Sequence, residues 1–70
     1  MTALRKRSVV LAGHATSLAL EPEFWSVIEV MAQSRSVSLT ALLADIDETR
    51  GKRPLASACR IEALRFASSR

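Results

Sequence analysis

The sequence predicts a mostly helical α+β fold, with strand near its start and three helices behind it. Three observations carry this. Over residues 16–20, Leu18 and Leu20 alternate with Ser17 and Ala19 and then meet Pro22, the pattern of a half-buried strand that runs straight into a helix. From Pro22 onward, apolar residues recur three and four apart in three successive segments, as in helices with one buried face. Turn-forming residues divide those segments, at 33–37 and at 51–54.

The elements follow in order. Residues 1–7 read as a flexible tail carrying the basic cluster Arg5–Lys6–Arg7, either solvated or set against phosphate. Residues 8–70 read as the folded domain. Residues 8–12 (Ser-Val-Val-Leu-Ala) are β-prone. Gly13 then opens a two-residue type II′ turn, pairing 9–12 with 15–18, or forms a bulge in one long strand; local sequence allows both. Glu21 ends the strand, because a residue before proline stays extended. Leu20 and Trp25 flank that junction at the spacing of a hydrophobic staple. A lone strand leaves backbone groups unpaired, so this one needs a partner strand.

The first helix spans Pro22 to about Arg35, with Phe24, Ile28, Met31 and Ala32 on its apolar face and Trp25 beside them. Ser38, with Ser36 as the alternative, is suited to N-cap a second helix that runs from Leu39 to about Arg50. Leu39, Leu42, Leu43 and Ile46 form its apolar face, and Gly51 fits the stop. A third helix covers about 55–68, with Ala58, Ile61, Leu64 and Phe66 as its expected buried set.

Bulk properties limit the function classes. A chain of 70 residues with a formal charge of +3 makes one domain at most and has little core of its own. Cys59 is the only cysteine, so no disulfide within the chain can help, and oligomerisation is the remaining support. One cysteine and no secretory pattern imply a cytoplasmic setting. The longest apolar run is far too short for a bilayer. The basic balance favours acidic partners, nucleic acid first.

No enzyme signature, cofactor motif or metal site emerges. Asp45 and Asp47 lie two apart and face different directions on a helix, so with Glu48 they read as an exposed acidic face rather than a catalytic cluster. His14 has no second ligand at metal spacing and reads as a structural or solvated side chain. Cys59, between Ala58 and Ile61, reads as a small core residue.

What remains is strand, helix and a polar-capped second helix. Over about 15–50 this resembles the ribbon-helix-helix family, the fold of the Arc and methionine repressors. The residues that carry the resemblance are Ser17-Leu-Ala-Leu-Glu-Pro-Glu-Phe24, Ile28 with Met31–Ala32, and Val37-Ser-Leu-Thr-Ala-Leu-Leu43. Gly13-His-Ala-Thr-Ser17, Glu21-Pro-Glu-Phe-Trp25, Ile46–Asp47 and Leu55-Ala-Ser-Ala-Cys-Arg60 are similar to a bacterial subfamily of it.

The resemblance implies an intertwined homodimer with an N-terminal strand extension and an extra C-terminal helix. Strands from two chains would pair, and Leu18, Leu20, Trp25, Ile28, Leu42, Leu43 and Ile46 would form one shared core. In DNA-binding members the ribbon enters the major groove. By alternation the base-facing positions here are Ala15, Ser17 and Ala19, which are poor in hydrogen-bonding groups. Phosphate contacts fall to Arg5, Lys6, Arg7, Arg35 and Ser38 with the amides of Leu39 and Thr40, and Lys52–Arg53 could add charge. The expected function is a small DNA-binding transcriptional regulator. The rival is an antitoxin-like or other protein-interaction module, which kept the dimer, lost base readout and binds a protein partner through the third helix.

Overall fold

In a computed structural model, residues 3–69 are described; Met1 and Thr2, the start of the expected tail, and Arg70 lie outside them. Two strands, β1 (Arg5–Leu11) and β2 (His14–Leu20), precede three helices, α1 (Pro22–Ser34), α2 (Leu39–Thr49) and α3 (Leu55–Ser68). The strands form one antiparallel hairpin, with Arg5 opposite Leu20 and Leu11 opposite His14.

The hairpin settles two open points. Its two-residue loop is Ala12–Gly13, both with positive φ (52° and 80°), the requirement of a type I′ turn rather than the expected type II′. Gly13 therefore occupies the second central position, not the first. Arg5, Lys6 and Arg7 are strand residues paired with Leu20, Ala19 and Leu18, not part of a flexible tail. The physical reason is the same in both cases: β2 needs a partner, and a tight turn delivers one from the preceding residues of the same chain.

Each helix begins and ends for local reasons. Pro22 occupies the first position of α1, where its missing N–H leaves nothing unsatisfied. Leu20 and Trp25 lie either side of the N-cap Glu21, both buried in one core, as a staple requires. At the other end, the Val37 amide donates to the Ala32 carbonyl and the Ser36 amide to that of Gln33. These are the paired bonds of a Schellman motif, with Ser36 at φ 56° where glycine is usual. Ser36→Gly should therefore raise the melting temperature, by about 1 kcal/mol of stability; an unchanged or lower midpoint in a thermal melt would count against strain at this position. The Ser38 hydroxyl accepts from the Ala41 amide at 3.0 Å and caps α2. Gly51, at φ 63°, follows its last turn.

The core lies between the sheet and the helices. Leu18, Leu20, Trp25, Ile28, Leu42, Leu43 and Ile46, expected in a core shared by two chains, are all buried within the single chain. β1 contributes Val9 and Leu11, and α3 contributes Ala58, Cys59 and Ala63. On α3 the expected buried set needs correction. Leu64 is 63 % exposed, whereas Ala58, Cys59 and Ala63 face inward; Ile61 and Phe66 are only half-buried. Small side chains let α3 approach α1 and β2 closely, so volume rather than hydropathy chose the buried face. Burial pushes the Cys59 thiol up to about 11, which keeps it protonated and poorly nucleophilic at neutral pH.

Ion pairs tie the layers together. Arg60 on α3 donates to Glu21 at 2.8 Å and lies 5.9 Å from the Phe24 ring centre. That hydrogen bond holds the Glu21 carboxyl below its ordinary value. Phe24 is accordingly half-buried under Arg60, while Trp25 takes the place in the core.

Candidate nucleic-acid interface

The hairpin has two unlike faces. Directly opposed residues share a face, so the register puts Arg5, Arg7, Val9, Leu11, His14, Thr16, Leu18 and Leu20 on the helix side. The outer face carries Lys6 opposite Ala19, Ser8 opposite Ser17, and Val10 opposite Ala15. Ala15 and Ser17 are exposed and Ala19 half-buried, on the side where alternation against Leu18 and Leu20 puts them. β1 adds three side chains that the strand pattern of 16–20 could not reveal: Lys6, Ser8 and Val10. Only the pairing register reveals them, because it depends on a contact between distant positions in the chain.

The basic cluster is divided by the pleat. Lys6 points outward with no ion pair among the described residues. Arg7 points to the helix side, its guanidinium 4.5 Å from the Trp25 ring centre and 3.8 Å from a Glu29 carboxylate oxygen. The Arg5 carbonyl accepts a 2.9 Å hydrogen bond from the Trp25 indole, and the Arg5 side chain is exposed, without an ion pair among the described residues.

The cations divide by whether a carboxylate of the chain holds them. Arg7, Arg35, Arg50, Arg60 and Arg65 each hold a carboxylate of the chain. Among the described residues, Arg5, Lys6, Lys52 and Arg53 are the cations without such a partner. Arg5 and Lys6 mark the open end of the hairpin. Lys52 and Arg53 lie in the turn between α2 and α3, and Arg53 lines a hollow there with Thr49, Arg50, Glu62 and Arg65. Free positive charge thus marks the open end of a ribbon about 20 Å long at ~3.3 Å per residue.

The other sequence-derived phosphate positions divide. Arg35 is 3.6 Å from Asp45, and the Ser38 hydroxyl is occupied by its own helix. The amides of Leu39 and Thr40 carry no hydrogen bond in the described residues and sit in the first turn of α2. Asp45 and Asp47 face separate arginines rather than each other. No group of three His, Cys, Asp or Glu residues among those described could hold a metal ion, and no described helix is long and apolar enough to cross a membrane.

One apolar hollow lies away from the ribbon, between α1 and α3, lined by Ser26, Val27, Val30, Phe66 and Ala67.

No curated protein and no solved structure matches the chain. The ribbon-helix-helix domain family matches it over residues 4–67.

Proposed function

The chain belongs to the ribbon-helix-helix domain family, and on that premise we propose that it is a small DNA-binding regulator whose hairpin enters the major groove. One observation carries the reading: an exposed outer ribbon face with Arg5 and Lys6 at its open end, neither holding a carboxylate among the described residues. A two-stranded ribbon fits the groove, and phosphates line both its walls. Ala15, Ser17 and Ala19 then face bases. Arg5, Lys52 and Arg53 supply phosphate contacts, together with the Leu39 and Thr40 amides at the positive end of α2. Arg7 and Arg35 have a lesser share, being held by Glu29 and Asp45.

The regulator acts as a homodimer in this reading. β2 already has a partner strand in its own chain, so strand completion no longer demands a second copy. The apolar hollow at Val27 and Val30 is a surface that a second copy would close. The same hollow favours the second reading, a protein-interaction module that binds another protein beside α3. Sedimentation separates them: a dimer that Val30→Asp dissociates supports the first, and a wild-type monomer at micromolar concentration removes the homodimer.

DNA binding itself is tested by fluorescence anisotropy on duplex from the protein's own upstream region and on random duplex. Both should bind in low salt, the upstream duplex more tightly, with affinity falling steeply as salt rises. The Arg5→Ala, Lys52→Ala, Arg53→Ala triple variant should weaken all duplexes alike. It should flatten the log–log salt slope by about 0.9 for each phosphate that the variant no longer neutralises. Absence of binding to any duplex in low salt would reject the DNA reading and leave the protein-interaction module.

A further inference from the structure

The junction of α2 and α3 gathers more positive charge than its carboxylates balance. Arg50, Arg53 and Arg65 line one hollow of about 140 Å³ there, with Glu62 and the buried Ile46 and Ala58. The three arginines come from separate places in the chain: the C-cap of α2, the turn after it, and the later part of α3. No hairpin residue lines the hollow.

Two of the arginines are partly engaged. Arg50 donates from Nε to Asp47 at 2.6 Å and from Nη1 to the Arg53 carbonyl at 2.7 Å, which leaves Nη2 without a partner among the described residues. Arg65 donates from Nη1 to Glu62 at 3.0 Å. Arg53 holds no carboxylate among the described residues. Asp47 and Glu62 therefore oppose three cations. Thr49 adds no donor, because its hydroxyl donates to the Asp45 carbonyl at 3.2 Å.

Gathered like charges repel, yet the backbone is built to keep these together. The Arg53 amide donates to the Arg50 carbonyl at 3.2 Å, the Arg50 side chain returns to the Arg53 carbonyl, and Gly51 at φ 63° permits the reversal. Side chains held in advance lose less entropy when a ligand arrives. The ligand chemistry follows from the donors. A guanidinium is a planar fork that stays charged and matches phosphate oxygens. A carboxylate needs one such fork, as Asp47 and Glu62 show. Forks from three positions suit a tetrahedral oxyanion with oxygens on several sides. The hollow is well below the roughly 300 Å³ at which drug-sized ligands begin, so it suits one phosphate group rather than a whole nucleotide.

We propose that the hollow between α2 and α3 binds a small phosphate ligand, free or as a monoester, through Arg50, Arg53 and Arg65. The site stands apart from the DNA reading, and its first test contains no DNA. The full chain, labelled with nitrogen-15, is titrated with inorganic phosphate against chloride at constant ionic strength. Amide shifts should saturate, with half-saturation on the order of 1 mM, and should be confined to residues 49–53 and 61–65. Arg53→Ala should weaken binding about tenfold, and Arg53→Lys less. Glu62→Gln should tighten it, since it removes the carboxylate that lines the hollow. Circular dichroism in chloride confirms that each variant is folded. Glycerol phosphate in a second titration names the source: tighter binding than inorganic phosphate assigns a phosphorylated small molecule, and weaker binding assigns free phosphate.

Arg65, which has no part in the DNA reading, separates the site from the DNA surface. Arg65→Ala should weaken phosphate binding and leave duplex affinity unchanged. Shifts at these amides with duplex but not with inorganic phosphate would make the hollow part of the DNA surface and overturn the proposal. Absence of localised shifts at tens of millimolar phosphate, or equal shifts in wild type and Arg53→Ala, would overturn it as well.

Discussion

Leu20→Asp should leave the protein unfolded at room temperature, without the far-ultraviolet helical signal of the wild type. Leu20 is fully buried beside Trp25, Ile28 and Leu43 in one core. Truncation of such a leucine alone costs about 2–5 kcal/mol. The aspartate adds a carboxylate to an apolar core, a further cost of several kcal/mol. A domain of this size has only about 3–10 kcal/mol of stability to lose. Ser17→Asp is the matched control. It lies on the same strand but on the outer face, opposite Ser8, and should change stability by less than about 1 kcal/mol. A folded Leu20→Asp protein with a destabilised Ser17→Asp would mean that the strand register is shifted by one residue, which exchanges the two faces.

Trp25→Ala should be the next most damaging change, at about 3–5 kcal/mol. Trp25 does three things at once. It fills the core at the start of α1, its indole N–H donates to the Arg5 carbonyl at 2.9 Å, and its ring carries Arg7. The last two contacts hold the open end of β1. Trp25→Phe separates the roles. It keeps most of the apolar volume but leaves the Arg5 carbonyl without its indole donor, for about 1–2 kcal/mol. Because Trp25 is the only tryptophan, urea unfolding should be followed by circular dichroism. The hydrogen exchange of β1 amides should rise in both variants. If Trp25→Ala unfolds at nearly the wild-type urea concentration, the indole is not what secures β1.

Much of this fold is local and was therefore legible in the residues alone. Pro22, Ser38 and Gly51 mark helix boundaries because each acts within one turn of its own position, through φ, a hydroxyl acceptor or a positive φ. The alternation of Leu18 and Leu20 assigned β2 its two faces. The apolar stripes of α1 and α2 assigned Ile28, Met31, Leu42, Leu43 and Ile46 to the core. The candidate interface was legible only in part, since Ala15, Ser17 and Ala19 follow from that alternation while Lys6, Ser8 and Val10 do not.

What the tertiary structure alone decided is everything that depends on which distant residues meet. The choice of β1 as the partner of β2 turned a basic tail into strand and sent Lys6 and Arg7 to opposite faces. Bulk hydropathy could not choose the buried face of α3, because Leu64 and Cys59 are both apolar. Close approach to α1 and β2 chose it, by admitting Ala58, Cys59 and Ala63 and excluding Leu64. The availability of each cation was likewise invisible in a net charge of +3. A charge is free or spent according to the carboxylate that folding brings within a few ångströms of it. That distance left Arg5, Lys6, Lys52 and Arg53 without a carboxylate partner among the described residues.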